Sequence, residues 1–409
     1  MPNPFKVLIT FLGKAINDQH SGYKKTTYDF QGQSCETPFI GFALSQMLNP
    51  DVTVILGTSS SMWDVFIEYQ NQGEEKEDLR IELMDAVKNN NVTDLLLAKV
   101  SPLVESSFGT LPVLKIIPSD IGKKSQVAIL GIINEAVTQG VGESSGVPVE
   151  VHIDITHGFR HLPLLAMQSG FFLEYVASRF TLKGLYYGAV EMEGWSSDGS
   201  KRAPIVFLEG AREFQRWIDA MIRFDGNGDY SVFVSLLKNA NVHNTEHLEK
   251  GAYFERVLNV SSARQSLMTF LGTLDPAQTT GIASLFLPLL KERLAWVREP
   301  SFDRQQRRLA EFYLKIGDYP RAVFLGYESV ISQECLRNGR DPQNFDERDS
   351  FKKSLECSER EDDFKTMKNL RNSIAHGNPP KNGNLQAIMK DRESLKKQLK
   401  KFLKVYWDD

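Results

Sequence analysis

The sequence predicts two domains, an α/β domain with a mainly parallel sheet followed by an all-helical domain. Before residue 210, short apolar strand-like runs alternate with helical patterns, which is typical of a parallel sheet covered by helices. After residue 211 the strand-like runs stop, and helical periodicity continues to the end of the chain. The 409 residues are enough for two domains. We therefore place the domains at 1–210 and 211–409.

Four short apolar runs in the first part indicate buried parallel strands. They are rich in β-branched residues and lie at 6–13, 52–57, 111–118 and 147–158. Helical patterns at 60–70, 78–91 and 125–139 lie between them, so helices are expected on both faces of the sheet. Two further runs, 182–191 and 202–210, flank a polar loop and predict a β-hairpin at the end of the sheet.

Composition excludes several classes of protein. With 48 Lys plus Arg against 52 Asp plus Glu, the net charge of −4 argues against a protein that binds nucleic acid through bulk charge. The three cysteines form no CxxC pair, so neither a cysteine-rich zinc site nor a disulfide framework is expected. The apolar stretch at the N-terminus is too short for a secretory signal, and no apolar run approaches the ~20 residues that span a bilayer. We expect a soluble, cytoplasmic protein.

Candidate ligand-binding residues follow the predicted strands, because open parallel sheets bind ligands beyond the carboxyl ends of their strands. Small hydroxyl-bearing residues before a helix start suit a phosphate, and Arg160 adds a fork-shaped donor. Trp63 or Phe159 offers a surface on which a base could stack. Since Ser and Thr also commonly cap helices, capping remains the alternative interpretation. The candidates are Gly13, Lys14, Thr58, Ser59, Ser60, Ser61, Met62, Trp63, Thr156, His157, Gly158, Phe159 and Arg160.

Common cofactor and metal motifs are missing from the sequence. No GxxxxGK[ST] run occurs, and the glycine-rich run 140–146 lacks the third glycine of a dinucleotide fingerprint. Two pairs with HxxxH spacing occur, but both lack the glutamate of a zinc-protease motif. We therefore expect neither a resident cofactor nor a metal. The two histidine pairs are His157 with His161 and His243 with His247.

The segment 364–380 is the most distinctive part of the helical half. Its apolar residues recur at helical spacing and predict a buried stripe over Phe364, Met367, Leu370 and Ile374. Arg371 lies at the edge of this stripe, and His376 directly precedes Gly377, a typical helix stop. One interpretation is an ordinary helix end, with the arginine reaching to solvent and the histidine near the C-terminal dipole.

The other interpretation is a catalytic pair, because an arginine and a histidine are the minimum set for metal-free RNA cleavage. An imidazole can move the 2′-hydroxyl or leaving-group proton near neutral pH, and a guanidinium can stabilise charge that develops on the phosphate. Five residues of ideal helix, however, separate Arg371 and His376 by about 140°. The pair therefore requires either a helix break near Ala375 or a second copy from another subunit.

Several motifs in this sequence resemble those of two known domain families. Residues 371–376 resemble the R-x4-H motif of HEPN ribonucleases. Residues 154–160, followed by 162–165, resemble a signature of CRISPR-associated Rossmann-fold (CARF) domains, as do residues 57–58 leading to 63–64, and residues 186–189. Together, the two halves are similar to the CARF–HEPN ancillary ribonucleases of type III CRISPR systems.

This resemblance implies a fold, an activator and an activity. It implies a Rossmann-like CARF domain that forms a homodimer and binds a cyclic oligoadenylate, with cyclic tetra-adenylate favoured, across the two-fold axis. Such binding allosterically activates a paired HEPN endoribonuclease, which cleaves single-stranded RNA without a metal in antiviral defence. Attack by the 2′-hydroxyl is expected to leave a 2′,3′-cyclic phosphate. Arg371 and His376 are then expected to be catalytic, and Asn372 to position them.

Two alternatives to the ribonuclease remain open at this point. The helical half could mediate assembly only, which would make the protein a sensor of a nucleotide second messenger without nuclease activity. The α/β half could instead be a ring nuclease that degrades the cyclic messenger.

The distribution of charge along the chain qualifies the argument from the net charge against nucleic-acid binding. Residues 381–409 contain eight Lys plus Arg and four Asp plus Glu, so 8 − 4 gives a local charge of +4. The terminal helical pattern over 385–407 therefore predicts a local basic surface that could bind nucleic acid in a salt-sensitive way.

Overall fold

The chain divides into two compact units, Met1–Arg212 and Glu213–Asp409. The computed structural model describes residues 3–14, 25–68, 77–142, 146–196, 198–274, 280–358, 361–380 and 382–407. Each unit has its own hydrophobic core. The two units are therefore described separately.

The first unit is built on one mixed β-sheet. Within the described residues its strands follow the spatial order β3-β2-β9-β7-β6-β1-β4-β5, and β8 pairs with β9. The strands are β1 (Phe5–Phe11), β2 (Thr26–Phe30), β3 (Gln33–Thr37), β4 (Val52–Gly57), β5 (Leu111–Ile116), β6 (Val149–Asp154), β7 (Phe180–Gly188), β8 (Gly194–Trp195) and β9 (Lys201–Phe207).

Five neighbouring strands form the predicted parallel core. β5, β4, β1, β6 and β7 pair in parallel, and Val7 of β1 lies opposite both Val52 of β4 and Val151 of β6. The strand order reverses at β1, because the chain moves outward first to β4 and β5 and later to β6 and β7. This arrangement confirms the prediction of a Rossmann-like parallel sheet.

The position predicted for the terminal hairpin is wrong. β7 and β9 are antiparallel neighbours, as Tyr186 lies opposite Phe207, but they do not end the sheet. The hairpin formed by β2 and β3 continues the sheet beyond β9, with Tyr28 beside Ala203. These two strands are short and largely polar, so they carry no apolar run that would have identified them.

Helices cover both faces of the sheet, as predicted. On one face, apolar residues of α5 and α6 pack against the core side chains of β1, β4 and β6. On the other face, α3 and α4 pack with Trp63 and Phe66. The helices of this unit are α1 (Ile40–Leu48), α2 (Val65–Glu68), α3 (Glu77–Lys88), α4 (Asp94–Phe108), α5 (Lys123–Val141) and α6 (Leu162–Val176).

The helix predicted over 60–70 is mostly wrong. Residues 58–64 form hydrogen-bonded turns, and α2 begins only at Val65. Residues 69–70 lie outside the described part of the chain. The turns form because hydroxyl groups in this segment bond to nearby backbone groups, which competes with the helical hydrogen-bond pattern.

The regular elements in the described part of the second unit are all helices, which confirms the predicted change of fold. Its core includes Trp217, Phe270, Tyr313, Phe364 and Phe402. The helices are α7 (Glu209–Asn227, which begins in the first unit), α8 (Val234–Asn239), α9 (Thr245–Arg256), α10 (Val260–Thr273), α11 (Gly281–Arg293), α12 (Phe302–Ile316), α13 (Tyr319–Arg337), α14 (Phe345–Leu355), α15 (Glu361–His376), α16 (Gly383–Met389) and α17 (Arg392–Trp407).

The terminal helical pattern is divided into two helices rather than one. α16 ends at Met389 and α17 begins at Arg392. The Asp391 carboxylate accepts hydrogen bonds from the backbone N–H groups of Glu393 and Ser394, which caps the new helix. No helix in the described ranges combines the length and apolar character needed to cross a lipid bilayer.

Candidate functional site

The loops that follow β1, β4 and β6 meet at the point where the strand order reverses. The Ser61 hydroxyl donates to the Leu12 carbonyl at 2.9 Å, and the Met62 N–H donates to the Gly13 carbonyl at 3.0 Å. These bonds hold the loop after β4 against the loop after β1. In open α/β sheets, this crevice is where ligands bind. The structure thus brings all three groups of predicted ligand-binding residues to one edge of the sheet.

Hydroxyl groups organise the loop after β4. The Ser61 hydroxyl accepts from the Thr58 N–H at 2.9 Å, and the Thr58 hydroxyl lies 3.1 Å from that of Ser60. Thr58 and Ser61 are buried, whereas Ser59 and Ser60 are partly exposed. The two buried hydroxyls therefore fix the loop, while Ser59 and Ser60 are the ones that a ligand could reach.

Trp63 does not offer a stacking surface, contrary to our expectation. Its side chain is fully buried among apolar residues, and its indole N–H donates to the Thr58 carbonyl at 2.8 Å. Gly57 permits this packing, because a Cβ at that position would lie 2.7 Å from the indole ring. Trp63 packs beneath the loop, and the helix predicted behind the loop begins only at Val65.

A buried carboxylate at the end of β6 connects neighbouring strands. Asp154 accepts from the Thr10 hydroxyl of β1 at 2.6 Å and from the Thr156 N–H at 2.9 Å. The Thr156 hydroxyl in turn accepts from the N–H of Gly188, the last residue of β7, at 2.8 Å. Thr156, predicted as a ligand residue, therefore has its hydroxyl engaged within the protein.

The loop after β6 turns sharply, and its His157 is partly buried against Phe39. Gly158 has φ +92°, in the left-handed region that favours glycine, and a Cβ there would lie 2.9 Å from the Leu162 side chain. The His157 ring stacks on Phe39 with ring centroids 5.6 Å apart. Burial lowers the pKa of His157 to about 4, so it is neutral at pH 7 and adds no positive charge to the site.

The exposed groups at this edge are an aromatic ring and two cations. Phe159 is 45% exposed and stacks on His161 with centroids 5.8 Å apart, so its outer face can receive a base. Arg160 is exposed and makes no hydrogen bond or ion pair with the residues that the structure describes. Lys14 is also exposed, and its ammonium group donates to Asn90 at 3.0 Å. These three side chains can meet a ligand that carries both phosphates and bases.

Three residues that support this site were missed at the sequence level. Thr10 lies within β1, Phe39 precedes α1, and Asn90 follows α3. Their partners are Asp154, His157 and Lys14, which are distant in sequence, so no local pattern indicates the contacts. Asn90 lies in a turn, where its φ is 55°. Its contact with Lys14 depends on where that turn lies in the fold, which the sequence does not indicate.

The buried titratable groups predict an unusual pH dependence. Burial raises the pKa of Asp154 to about 6, so Asp154 contributes stability at low pH that is lost as the pH rises through that value. Burial also lowers the pKa of His152 and of His157 to about 4, so both contribute stability near neutrality that is lost on acidification. Asp154 thus opposes the acid sensitivity of the two histidines.

Asp154→Asn is expected to make the protein more sensitive to acid. Between pH 7 and pH 4.5, its free energy of unfolding should fall by about 1 to 2 kcal/mol more than that of the wild type, since the opposing group is absent. Urea unfolding of both proteins at the two pH values measures this difference. The hydrogen bonds that the variant loses weaken it equally at both pH values, so their loss does not enter the comparison. Asp78→Asn, an exposed substitution with the same charge change, should show no such difference, and equal behaviour of both variants contradicts the prediction.

The predicted catalytic residues lie at the exposed end of α15. Phe364, Met367 and Leu370 are fully buried, and the helix ends at His376, before Gly377 with φ +63°. The helix is continuous through Ala375, so the predicted alternative of a break there is wrong. Within one subunit, Arg371 and His376 therefore point about 140° apart around the helix axis.

Arg371 is held in a defined position, whereas His376 is exposed. One guanidinium nitrogen of Arg371 donates to the Asn372 side-chain oxygen at 3.1 Å, and its charge lies 5.7 Å from the centre of the Phe324 ring. The Arg371 Nε is buried and has no hydrogen-bond partner among the residues that the structure describes. An unpaired buried donor is costly, and an acceptor such as a phosphate oxygen would satisfy it.

Neither predicted histidine pair forms a cluster of metal ligands. No group of three or more His, Cys, Asp or Glu side chains is arranged to hold a metal ion within the described ranges. His157 packs on Phe39, and His161 packs on Phe159. The HxxxH spacing at this position therefore reflects packing of the loop.

Comparison with known proteins relates the first unit to CRISPR sensors. Residues 7–191 match the family model of the CARF domain of the CRISPR system endoribonuclease Csx1. CRISPR-associated protein MJ1674 of Methanocaldococcus jannaschii is 25% identical over an alignment of 412 positions that covers 92% of this chain. The chain spans 63% of the length of that relative, less than two thirds.

These similarities support a CARF-containing protein related to type III CRISPR systems. The matched region includes β1, β4 and β6 together with the loops that follow them. The match supports the prediction of a CARF domain over this region. The matched region ends before the helical unit, so the identification of that unit as a HEPN domain stays a prediction.

Proposed function

We propose that the protein is an endoribonuclease that cyclic oligoadenylate activates and that cleaves single-stranded RNA without a metal, in type III CRISPR antiviral defence. The observation that carries this proposal is the position of Arg371 and His376 at the exposed end of α15, in a chain whose first unit matches a CARF domain. The CARF-like domain over 1–210 senses the messenger, and the helical region over 211–409 contains the HEPN ribonuclease.

The edge of the first sheet suits a cyclic oligoadenylate, and cyclic tetra-adenylate is the favoured activator. Such a ring presents phosphates and adenine bases together. Ser59, Ser60, Lys14 and Arg160 supply donors for phosphates, and Phe159 supplies a face for an adenine. Thr58, Ser61 and Trp63 hold the loop in place rather than meeting the ligand directly.

An exposed apolar face on α6 supports the proposed homodimer. Helix α6 directly follows the loop that carries Arg160. Four of its apolar side chains are each more than half exposed: Leu164, Phe172, Tyr175 and Val176. Exposed apolar surface of this kind marks interfaces in soluble proteins. A two-fold axis beside this loop brings two copies of the site together, which suits a ring with internal two-fold symmetry.

The dimer also resolves the geometry of the catalytic pair. Because α15 is continuous, the Arg371 and His376 of one subunit diverge. We place the active site between two helical units, so that Arg371 of one subunit faces His376 of the other. Asn372 positions the guanidinium through its hydrogen bond.

The proposed reaction uses these groups for proton transfer and charge stabilisation. The His376 imidazole takes the proton of the 2′-hydroxyl, whose oxygen attacks the adjacent phosphorus. Arg371 stabilises the negative charge that develops on the phosphate oxygens. The bond to the 5′-oxygen breaks, that oxygen takes up a proton, and the products are a 2′,3′-cyclic phosphate and a 5′-hydroxyl.

An RNA cleavage assay with cyclic tri-, tetra- and hexa-adenylate tests the proposal. Cleavage should depend on a cyclic oligoadenylate, persist in EDTA and leave 2′,3′-cyclic phosphate ends. Absence of cleavage with every ring would favour a sensor without nuclease activity, and loss of cleavage in EDTA would contradict the metal-free mechanism. Linear fragments of the messenger produced by His376→Ala would indicate a ring nuclease in the first unit.

A further inference from the structure

A groove lined mainly by cations lies between α12 and α17 in the second unit. We call it the basic groove, and it has a volume of about 450 Å³. Five cationic side chains and one carboxylate line it, which gives 5 − 1, or +4. The charged lining residues are Arg307, Lys315, Lys396, Lys400, Lys404 and Glu311.

The cations of the basic groove form a row along each helix. Lys396, Lys400 and Lys404 are four residues apart, so they share one face of α17 over about 12 Å. Arg307 and Lys315 lie on α12 with the same periodicity around Glu311. Since the two rows face each other across the groove, the positive charge follows a line, as an extended polyanion requires.

Most of this positive charge has no compensating carboxylate. Glu311 is paired with Arg307 at 2.9 Å, so the single acid of the groove is already engaged. Lys315, Lys400 and Lys404 form no ion pair with any residue that the structure describes, and Lys400 and Lys404 are exposed. Like charges at this spacing repel one another, and bound phosphates would relieve that repulsion.

The basic groove is separate from the proposed catalytic helix within one subunit. Lys401 pairs with Asp363 of α15 at 2.9 Å. Lys401 is turned about 100° around α17 from its neighbour Lys400, which lines the groove. The contact with α15 therefore lies beside the groove-lining face of α17, and it is made at the end of α15 opposite His376.

We infer that the basic groove binds the sugar–phosphate backbone of single-stranded RNA away from the bond that is cleaved. This inference rests on the proposed ribonuclease function and names a second RNA-binding surface for it. Lysines act as point charges toward phosphates, so this surface binds RNA without reading its sequence. Its contribution is to the affinity for long RNA and not to the chemical step.

RNA binding by variants of the full-length protein tests this inference. In a His376→Ala background, which should slow cleavage at least about 100-fold, Lys400→Glu and Lys404→Glu should each weaken binding of a labelled single-stranded RNA of roughly 20 nucleotides by about threefold to tenfold. The slope of the logarithm of the binding constant against the logarithm of the salt concentration should become shallower by about 0.7 for each phosphate that the variant no longer neutralises. Fluorescence anisotropy at several salt concentrations measures both.

The control is Lys250→Glu, an exposed cation of α9 that does not line the basic groove but gives the same change in charge. It should leave the affinity unchanged, and an equal loss there would mean that only total charge matters, which overturns the inference. If the His376→Ala parent binds RNA and the groove variants bind as well as it does, the groove inference fails while the proposed function stands. If the parent itself binds no RNA, both fail.

A second measurement separates binding from chemistry. With His376 intact, Lys400→Glu should raise KM for long single-stranded RNA severalfold and leave kcat unchanged. The cleavage of an RNA too short to reach both sites should be unaffected. A fall in kcat on the short RNA would show that Lys400 acts at the active site, which contradicts a separate groove.

Discussion

Alanine at Arg371 or at His376 is expected to lower RNA cleavage by roughly 10²- to 10⁴-fold, the range that general acid–base catalysis and electrostatic stabilisation each supply. His376 would no longer move the proton of the 2′-hydroxyl, and Arg371 would no longer stabilise the phosphate. Binding of cyclic tetra-adenylate should be unchanged, because both residues lie in the second unit. Single-turnover cleavage of labelled RNA with saturating activator measures the loss.

His243→Ala is the matched control for this prediction. His243 is another exposed histidine of the second unit, away from α15, and its removal should leave cleavage unchanged. Cleavage that survives both Arg371→Ala and His376→Ala would remove the basis for a HEPN active site in this chain.

Mixing the two inactive variants tests whether the site is shared between subunits. In a mixed dimer, one of the two sites combines the intact Arg371 of one subunit with the intact His376 of the other. Half of randomly assembled dimers are mixed and half of their sites are intact, so about a quarter of wild-type activity should return. Activity that stays at the level of the separate variants would place the pair within one subunit, which conflicts with the continuous α15.

Arg160→Ala is expected to raise the concentration of cyclic tetra-adenylate needed for half-maximal activation by at least about tenfold. A charge-assisted hydrogen bond to a phosphate is stronger than a neutral one, and Arg160 is exposed beside the loops that meet at β1. The maximal rate should be unchanged, since the catalytic groups are intact. Titration of the activator in the RNA cleavage assay measures both quantities.

Arg179→Ala provides the comparison at the opposite edge of the sheet. The Arg179 carbonyl accepts a hydrogen bond from the N–H of Val149, the first residue of β6, so this arginine lies at the amino ends of the strands. Its removal should not change the activator requirement. An equal shift in both variants would contradict a messenger site at the carboxyl ends.

The sequence indicated the parallel core well because buried parallel strands have apolar side chains on both faces. It did not indicate β2 and β3, whose residues are mostly polar. A sequence signal for this hairpin is the pair Gln31 and Gly32 between the two strands. In the structure the pair forms a two-residue loop, and both φ angles are positive, at 52° and 82°. Such a loop is typical of a tight hairpin, but the glutamine in its first position weakens the pattern.

The candidate site was predictable in position but not in the roles of its side chains. Strand ends follow from apolar runs, so the loops at Gly13, Thr58 and Thr156 could be named from sequence. Which side chains are buried depends on the elements that cover the loops: Phe39 covers His157, and α3 and α4 enclose Trp63. Such contacts join residues far apart in the chain, and no local pattern encodes them.

The hydrogen bonds through Asp154 have a consequence for how tightly this edge can bind a ligand. Thr10, Asp154, Thr156 and Gly188 form one continuous chain of bonds across three neighbouring strands. Asp154 joins β1 to the loop after β6, and Thr156 joins that loop to β7, so the loop cannot shift without leaving buried polar groups unpaired. A surface ordered before the ligand arrives loses little conformational entropy on binding, which leaves more of the contact energy as affinity.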